Sequence, residues 1–251
     1  MESFNTMFSF FKIKKNLTSQ FPTDFVDIHS HLLPNIDDGS KSFEESASLI
    51  KRLNSYGIKN FVTTPHIIDG VWNNSLATIN TKLFELTDYL TKQGIRDIQI
   101  RAAAEYMLDS NFEVLLQSKK LLTIKDPYIL IEFSYINPPI NLKELLFKIQ
   151  IAGYQPILAH PERYSFFHKN YKEYFKLKES GCFFQLNLLS LSNYYGSEVN
   201  KIAKRLLKDN LIDFAGTDTH NHRHLDALET ITNSKLIQLI LPVLENNSKL
   251  I

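Results

Sequence analysis

The chain has 251 residues, 43% of them hydrophobic and 22% charged, which suits one large domain or two small ones and gives no case for disorder. Lys and Arg number 28 against 27 Asp and Glu, so no basic field exists to hold a nucleic-acid backbone, and a single cysteine, Cys182, excludes a disulfide framework or a cysteine-rich zinc site. No apolar run approaches the roughly 20 residues a membrane span needs, so the expectation is a cytoplasmic enzyme or binding domain, not an integral membrane protein.

The first 22 residues stand apart. Phe8, Phe10 and Phe11 precede Lys12, Lys14 and Lys15. A signal peptide would put the charges first and carry a longer apolar stretch. Residues 1–22 therefore read as an N-terminal extension and 23–251 as one domain. From Phe25 the chain alternates β-rich runs with helical patterns. The strands expected are Phe25–His31, Lys59–His66, Ile98–Tyr106, Tyr128–Phe133, Pro156–His160, Cys182–Asn187 and Ile212–Asp218. Most are dense in Val, Ile, Phe and Leu without strict alternation, as strands buried on both faces should be. Ser42-Phe-Glu-Glu45 reads as a capping box, and Phe43, Ala47, Ile50 and Leu53 follow at helical spacing. Similar patterns fill Ser75–Thr91, Asn141–Ile151, Tyr171–Glu179 and Glu198–Lys208, with Gly57, Gly94, Gly153 and Gly181 as helix ends. Strand and helix alternate about seven times with no linker, which predicts a parallel barrel.

Polar residues gather where these strands end. The first ends Asp27-Ile-His29-Ser-His31, the second Thr63-Thr-Pro-His66 and the third Ala104-Glu105. The fifth runs into His160-Pro-Glu-Arg163 and the seventh into Thr217-Asp-Thr-His220-Asn-His222. In a parallel barrel those ends share one face, the face that carries active sites. A lone histidine there is more often structural, but convergence from five strands points to metal. His29 and His31 lie two apart on extended chain, so both imidazoles point to one side. With His66, Glu105, His160, Asp218 and His220 there are more ligands than one ion can use. Imidazole and carboxylate without thiolate suit manganese, iron or zinc. A multinuclear site generates hydroxide at neutral pH and clamps the attacking and leaving oxygens, which phosphoester hydrolysis needs most.

At these residues a resemblance becomes plain. The order His-x-His, Asp-Asp-Gly, Thr-Pro-His, Glu, His-Pro-Glu-Arg and Asp-x-His resembles the PHP (polymerase and histidinol phosphatase) superfamily. Asp27-Ile-His-Ser-His-Leu-Leu-Pro with Asp37-Asp-Gly39 is more closely similar to the bacterial capsule-operon protein-tyrosine phosphatases, over about residues 24–225. The resemblance implies a distorted (β/α)7 barrel, a TIM-like PHP fold, with three metal ions, usually Mn²⁺, at the C-terminal ends of the strands. It implies dephosphorylation of tyrosines on a membrane-associated kinase that controls polysaccharide polymerisation or export. Position by position, it implies His29, His31, Glu105 and Asp218 at a first ion, Glu105 and His160 at a second, and Asp38, His66 and His220 at a third. His66 could face either of two ions.

Asp37 could merely cap a turn. Glu132 could complete the second ion's shell or orient a ligand histidine. Arg163, three residues after His160, can grip phosphate oxygens with a forked pair of donors, or pair with a surface acid such as Glu162. Family members usually carry another arginine several residues after the final His, whereas Arg223 follows His220 more closely. His222 and His224 read as exposed loop residues. Ile67, Ile68 and Trp72 could wall an aromatic pocket or cover the barrel mouth. Cys182 opens a strand instead of a phosphate-cradling loop, so it reads as core and not as a nucleophile. The expected activity is therefore a phosphotyrosine phosphatase working by metal-activated hydroxide, with Arg163, Asp218 and His220 as its catalytic residues. The rivals are a small-metabolite phosphatase, such as one for histidinol phosphate, and a metal-containing regulatory protein of polysaccharide export.

Overall fold

Parallel strands alternate with helices in the computed structural model, which describes residues 16–251. The strands are β1 (Val26–Asp27), β2 (Asn60–Thr63), β3 (His66–Ile67), β4 (Gln99–Ala102), β5 (Glu105–Met107), β6 (Tyr128–Glu132), β7 (Gln155–Ala159), β8 (Phe183–Asn187) and β9 (Phe214–Gly216). They form two sheets, ordered β1-β2-β4 and β3-β5-β6-β7-β8-β9, with every pairing parallel. Here the structure departs from the sequence expectation. Lys59–His66 and Ile98–Tyr106 are each broken in two, at Thr64-Pro65 and at Ala103-Ala104. Pro65 has no N–H to continue the ladder. Ala103 N–H donating to Thr63 O at 2.9 Å and Glu105 N–H to Pro65 O at 3.1 Å carry the sheet across the break. Beyond it His66 and Glu105 are direct register partners.

The ring closes between β9 and β1, and mostly not by a backbone ladder. At the top, Ser30 and Thr219 form an isolated parallel bridge, and Asp218 N–H donates to His29 O at 2.7 Å. Lower down, the buried Asp27 carboxylate accepts from Thr217 N–H at 2.9 Å and from Thr217 Oγ1 at 2.6 Å. At the bottom, the Asn247 side chain imitates a strand's peptide group. Its Nδ2 donates to Val26 O at 2.8 Å and Ala215 O at 2.6 Å, while its Oδ1 accepts from Ala215 N–H at 3.0 Å. The result is the distorted (β/α)7 barrel expected from the sequence.

Buried apolar residues split into two clusters along the same strands. Leu130, Ile157 and Ala159 join Val26, Ile28 and Val62 in one. Ile129, Ile131 and Leu158 join helix residues such as Leu145 and Ile149 in the other. Burial on both faces is why the strands show no polar alternation.

The helices are α1 (Phe43–Ser55), α2 (Leu76–Lys92), α3 (Ser110–Gln117), α4 (Leu142–Ile151), α5 (Ser165–His168), α6 (Lys172–Glu179), α7 (Ser197–Lys208), α8 (His222–Glu229) and α9 (Ser234–Asn246). Ser42 accepts from Glu45 N–H at 3.2 Å, but Glu45 reaches back to Lys41 N–H at 2.7 Å, one residue before the cap. A full reciprocal capping box stands instead at Ser75 and Thr78. Gly57, Gly94, Gly153 and Gly181 follow α1, α2, α4 and α6 with φ of +94°, +75°, +95° and +76°. Helices α3, α5, α8 and α9 have no counterpart among the expected helical patterns. Leu17, inside the expected 1–22 extension, is fully buried and its N–H donates to Ile231 O at 2.8 Å. Residues 1–15 of the expected extension lie outside the described residues.

Candidate metal centre

The C-terminal ends of the strands bring every candidate ligand into one cluster. His29 and His31 leave β1 on extended chain, and their Nε2 atoms lie 3.3 Å apart. Two glycines make room for them. A Cβ on Gly39 would sit 2.5 Å from His31 Cβ, and one on Gly216 would sit 2.5 Å from His29 Cβ, so neither position accepts a side chain without displacing a histidine. His160 and Asp218 adopt left-handed backbone, φ +35° and +49°, a strain non-glycine residues carry mainly where surrounding structure enforces a functional geometry.

Second partners fix the imidazoles. Gln185 Oε1 lies 2.7 Å from His29 Nδ1, and Gln185 Nε2 donates to Leu186 O, which sets the amide's orientation. His29 Nδ1 therefore carries a proton, and its Nε2 is the ring atom turned into the cluster. Asp37 Oδ2, 2.8 Å from His31 Nδ1, does the same for His31, while Asp37 Oδ1 accepts from Gly39 N–H at 2.9 Å. Asp37 thus caps its turn and also orients a histidine. His220 Nδ1 lies 2.9 Å from Asp218 O, which turns its Nε2 toward Asp38 Oδ1 at 3.4 Å. The same Asp38 oxygen lies 3.4 Å from His66 Nε2.

Glu105 sits at the middle of the cluster, fully buried. Its Oε2 is 3.2 Å from His29 Nε2 and 3.1 Å from His66 Nδ1, and its Oε1 is 3.0 Å from His160 Nε2. Asp218 Oδ1 is 3.3 Å from His29 and 3.4 Å from His31. Glu132 Oε1 and His66 Nδ1 lie 2.8 Å apart without hydrogen-bond alignment, and neither atom has any other hydrogen-bond partner. His160 Nδ1 is likewise buried and unpartnered. Burial opposes charge on His31 and His66, yet the carboxylates around them overcome it and hold both pKa values well above the ordinary value. Burial also works against ionised Glu105 and Asp218, but the facing histidines keep both well below the carboxylate range. His160 goes the other way: burial, then the charge of Arg163, lower it to about 4 despite Glu105, leaving a neutral imidazole.

These donors fit divalent cations. Lone pairs oriented toward one another in a buried space repel unless positive charge lies between them. Four sets have donor atoms within metal-binding reach of one another: His31, Asp38, His66 and His220; His29, Glu105 and His160; His29, His31 and Asp218; and His66, Glu105 and Glu132. His31 therefore borders two sets, and His66 faces Asp38 on one side and the two glutamates on the other.

Above the cluster opens a cavity of about 510 Å³, walled by Ile68, Trp72, Met107, Tyr135, Tyr194 and Tyr195. Ile68 and Trp72 exchange backbone hydrogen bonds at 3.0 and 2.9 Å and form one wall. Arg163 reaches in from the short turn after β7 and donates to Asp218 Oδ2 at 3.0 Å. Its guanidinium lies between two rings, 4.9 Å from the centroid of Tyr135 and 4.2 Å from that of Tyr195. The pairing with Glu162 weighed from sequence is absent from the ion pairs of the described residues. Glu162 is buried, accepts from Asn187 N–H and Ser190 Oγ, and burial raises its pKa to about 7. His222 and His224 are not loop residues: both belong to α8, and His224 is buried at the cavity wall. Arg223 is exposed and does not line the cavity. The residues that sequence reasoning missed are Gln185, Asn187, Tyr135 and Tyr195.

The family model for capsular polysaccharide synthesis, CpsB/CapC, matches residues 25–230. The tyrosine-protein phosphatase YwqE of Bacillus subtilis (strain 168) is 32% identical over 197 residues, 78% of this chain and 77% of that protein. The tyrosine-protein phosphatase CpsB of Streptococcus pneumoniae is 31% identical over 204 residues, 78% of this chain and 83% of that protein. A solved structure from the work on YwqE from Bacillus subtilis and CpsB from Streptococcus pneumoniae, which calls them unique metal-dependent tyrosine phosphatases, superposes with a TM-score of 0.74 at 30% identity. That match covers 88% of this chain and 94% of the other. By sequence, fold and the clustering of its polar residues, the chain belongs to the CpsB/CapC family of capsular polysaccharide synthesis.

Proposed function

We propose that this protein is a metal-dependent phosphatase that hydrolyses phosphotyrosine on a protein, and that its substrate is the tail of a membrane-associated tyrosine kinase of capsule or exopolysaccharide synthesis, met in the cytoplasm. The observation that carries the reading is the union of two features in one cavity: a buried cradle of imidazole and carboxylate donor atoms, and a ring-stacked arginine beside it. In this reading His29, His31, Asp38, His66, Glu105, His160, Asp218 and His220 hold the cations. The overlapping donor sets leave room for more than one ion, mixed imidazole and carboxylate donors suit manganese, iron or zinc, and the family resemblance favours three Mn²⁺ ions. When bound, the cations supply Lewis acidity and a nucleophilic water at neutral pH.

The chain's own residues do the rest. Arg163 presents its forked donors to the phosphate oxygens, and the flanking tyrosines hold the guanidinium flat. Asp218 and His220 sit between cradle and cavity, so they serve the cations and the reacting phosphate together. Ile68, Trp72 and Met107 offer an apolar wall to the substrate's aromatic ring, and the rim tyrosines Tyr135 and Tyr194, each 44% exposed, offer contact to flanking peptide. Phenolate is a fairly good leaving group, so a strong general acid is less critical than for an alkyl ester.

The test is a side-by-side assay of manganese-loaded protein on a phosphotyrosine peptide and on histidinol phosphate. The reading expects kcat/KM to favour the peptide. Preference for histidinol phosphate would assign the site to small metabolites instead.

A further inference from the structure

Asp218 divides its two oxygens between different tasks. Oδ1 faces imidazoles, 3.3 Å from His29 Nε2, 3.4 Å from His31 Nε2 and 3.5 Å from His220 Nδ1. Oδ2 faces away from them and accepts from Arg163 Nη1 at 3.0 Å and from Asn187 Nδ2 at 2.6 Å. Asn187 ends β8 and is fully buried. Its own Oδ1 accepts from Leu189 N–H at 2.8 Å, which determines that the amide nitrogen is the end turned toward Asp218. The same nitrogen donates to Tyr195 Oη at 3.2 Å, and the Tyr195 ring covers the Arg163 guanidinium. Asn187 N–H donates to Glu162 Oε1 at 3.0 Å, in the residue that precedes Arg163. One side chain is thus bonded to the cradle's carboxylate and to the arginine's aromatic support, and its backbone to the turn that carries the arginine.

We infer that Asn187 is a positioning residue, which holds Asp218 with a single oxygen toward the cation cradle and keeps the other oxygen satisfied when Arg163 turns to phosphate. A phosphate gripped by the forked edge of Arg163 competes with Asp218 for the guanidinium, and turning that edge to phosphate loosens the Nη1 bond to Asp218 Oδ2. With no second donor, that move would strand a buried carboxylate oxygen, which is unfavourable. The carboxylate would then rotate, either to retain Arg163 or to present both oxygens to the cations. Asn187 removes both incentives. The part concerning phosphate rests on the function proposed above, whereas the part concerning cations rests on the cradle alone.

Two variants separate this role from simple turn capping. Asn187→Ala removes the donor to Asp218 and the acceptor for Leu189 N–H. Asn187→Asp keeps an acceptor for Leu189 N–H but cannot donate to Asp218. Calorimetric titration of chelator-stripped protein with Mn²⁺ should show the alanine variant binding about 10- to 100-fold more weakly than the parent, the range typical when a residue that orients a metal ligand is lost. On a phosphotyrosine peptide at saturating Mn²⁺, both variants should fall at least about tenfold in kcat/KM, and the aspartate should not rescue the alanine. If the aspartate variant works at the parent rate, Asn187 only caps the turn and the inference is overturned. An alanine variant with the parent Mn²⁺ affinity overturns it equally. Should the alanine variant fail to fold, the aspartate variant still decides, because it retains the turn's acceptor. A parent inactive on phosphotyrosine would contradict the proposed function, while the Mn²⁺ titration would still test the positioning.

Discussion

The two ends of the barrel treat buried polar groups in opposite ways. At the N-terminal end, Asn247 and Asp27 stitch β9 to β1, and Arg101 Nη2 donates to Leu250 O at 2.7 Å. At the C-terminal end lie all five buried side-chain atoms that lack a hydrogen-bond partner among the described residues: Ser30 Oγ, His66 Nδ1, Glu132 Oε1, His160 Nδ1 and Glu162 Oε2. Burying a polar atom without a partner is unfavourable by roughly 1–3 kcal/mol in proteins, so a cluster of them marks a place where something else is meant to sit. Saturation at one end speaks of structure, and deficit at the other speaks of function. Each of the following changes should break or sharpen that contrast.

The largest effect should come from Glu105, whose two oxygens face four histidines. Glu105→Gln should lose bound metal and lower turnover on the order of 1000-fold, consistent with losing several kcal/mol of charge stabilisation, while the barrel stays folded. Elemental analysis reads this directly, and full metal occupancy in the variant would deny Glu105 a bridging place. Next is Arg163→Ala. Losing one forked, charge-assisted contact is worth on the order of 2–4 kcal/mol in the transition state, so kcat/KM should fall about 30- to 1000-fold with metal content unchanged. Arg163→Lys should recover only part of that. Parent kinetics in the alanine variant would make the arginine structural.

At the other end the sign of the result changes. Asn247→Ala removes three buried hydrogen bonds and should destabilise the fold by about 3 kcal/mol, a melting shift of roughly 6–12 °C for a chain of this size. Activity per folded molecule should not change. A variant that melts with the parent would show that the seam holds without its side-chain peptide mimic. The smallest effect should come from Cys182→Ser. The thiol is buried, and that burial pushes its pKa up to about 12, so it is no nucleophile at neutral pH. Turnover should stay within about twofold of the parent, and a dead variant would demand a cysteine mechanism.

Much of this was legible in the sequence because the relevant signals are local. His29 and His31 alternate on one extended segment, His160 ends an apolar run, His66 follows Thr63-Thr64-Pro65 at a strand's end, and glycines follow four of the helices. What stayed hidden is long-range or weakly marked. Gln185 holds His29 across 156 positions of sequence, and within its own strand it reads as one polar residue among apolar ones. Asn187 and Tyr195 acquire meaning only once β8 lies beside β9. The break before His66 was signalled by Pro65, which removes a ladder donor, and α3 by Asp109, which accepts from Asn111 and Phe112 N–H. Helix α9 carries Pro242 in its interior, a residue that argues against the helix tertiary packing enforces.

Above all, the imidazoles and carboxylates facing one another at the barrel mouth are there to hold cations. The most direct test is to strip the protein exhaustively with chelator and titrate Mn²⁺ back, following heat of binding and turnover of a phosphotyrosine peptide together. The account predicts no turnover in the stripped protein and recovery in step with occupancy of the sites. Undiminished turnover after stripping, or no binding of Mn²⁺ by the stripped protein, would contradict it.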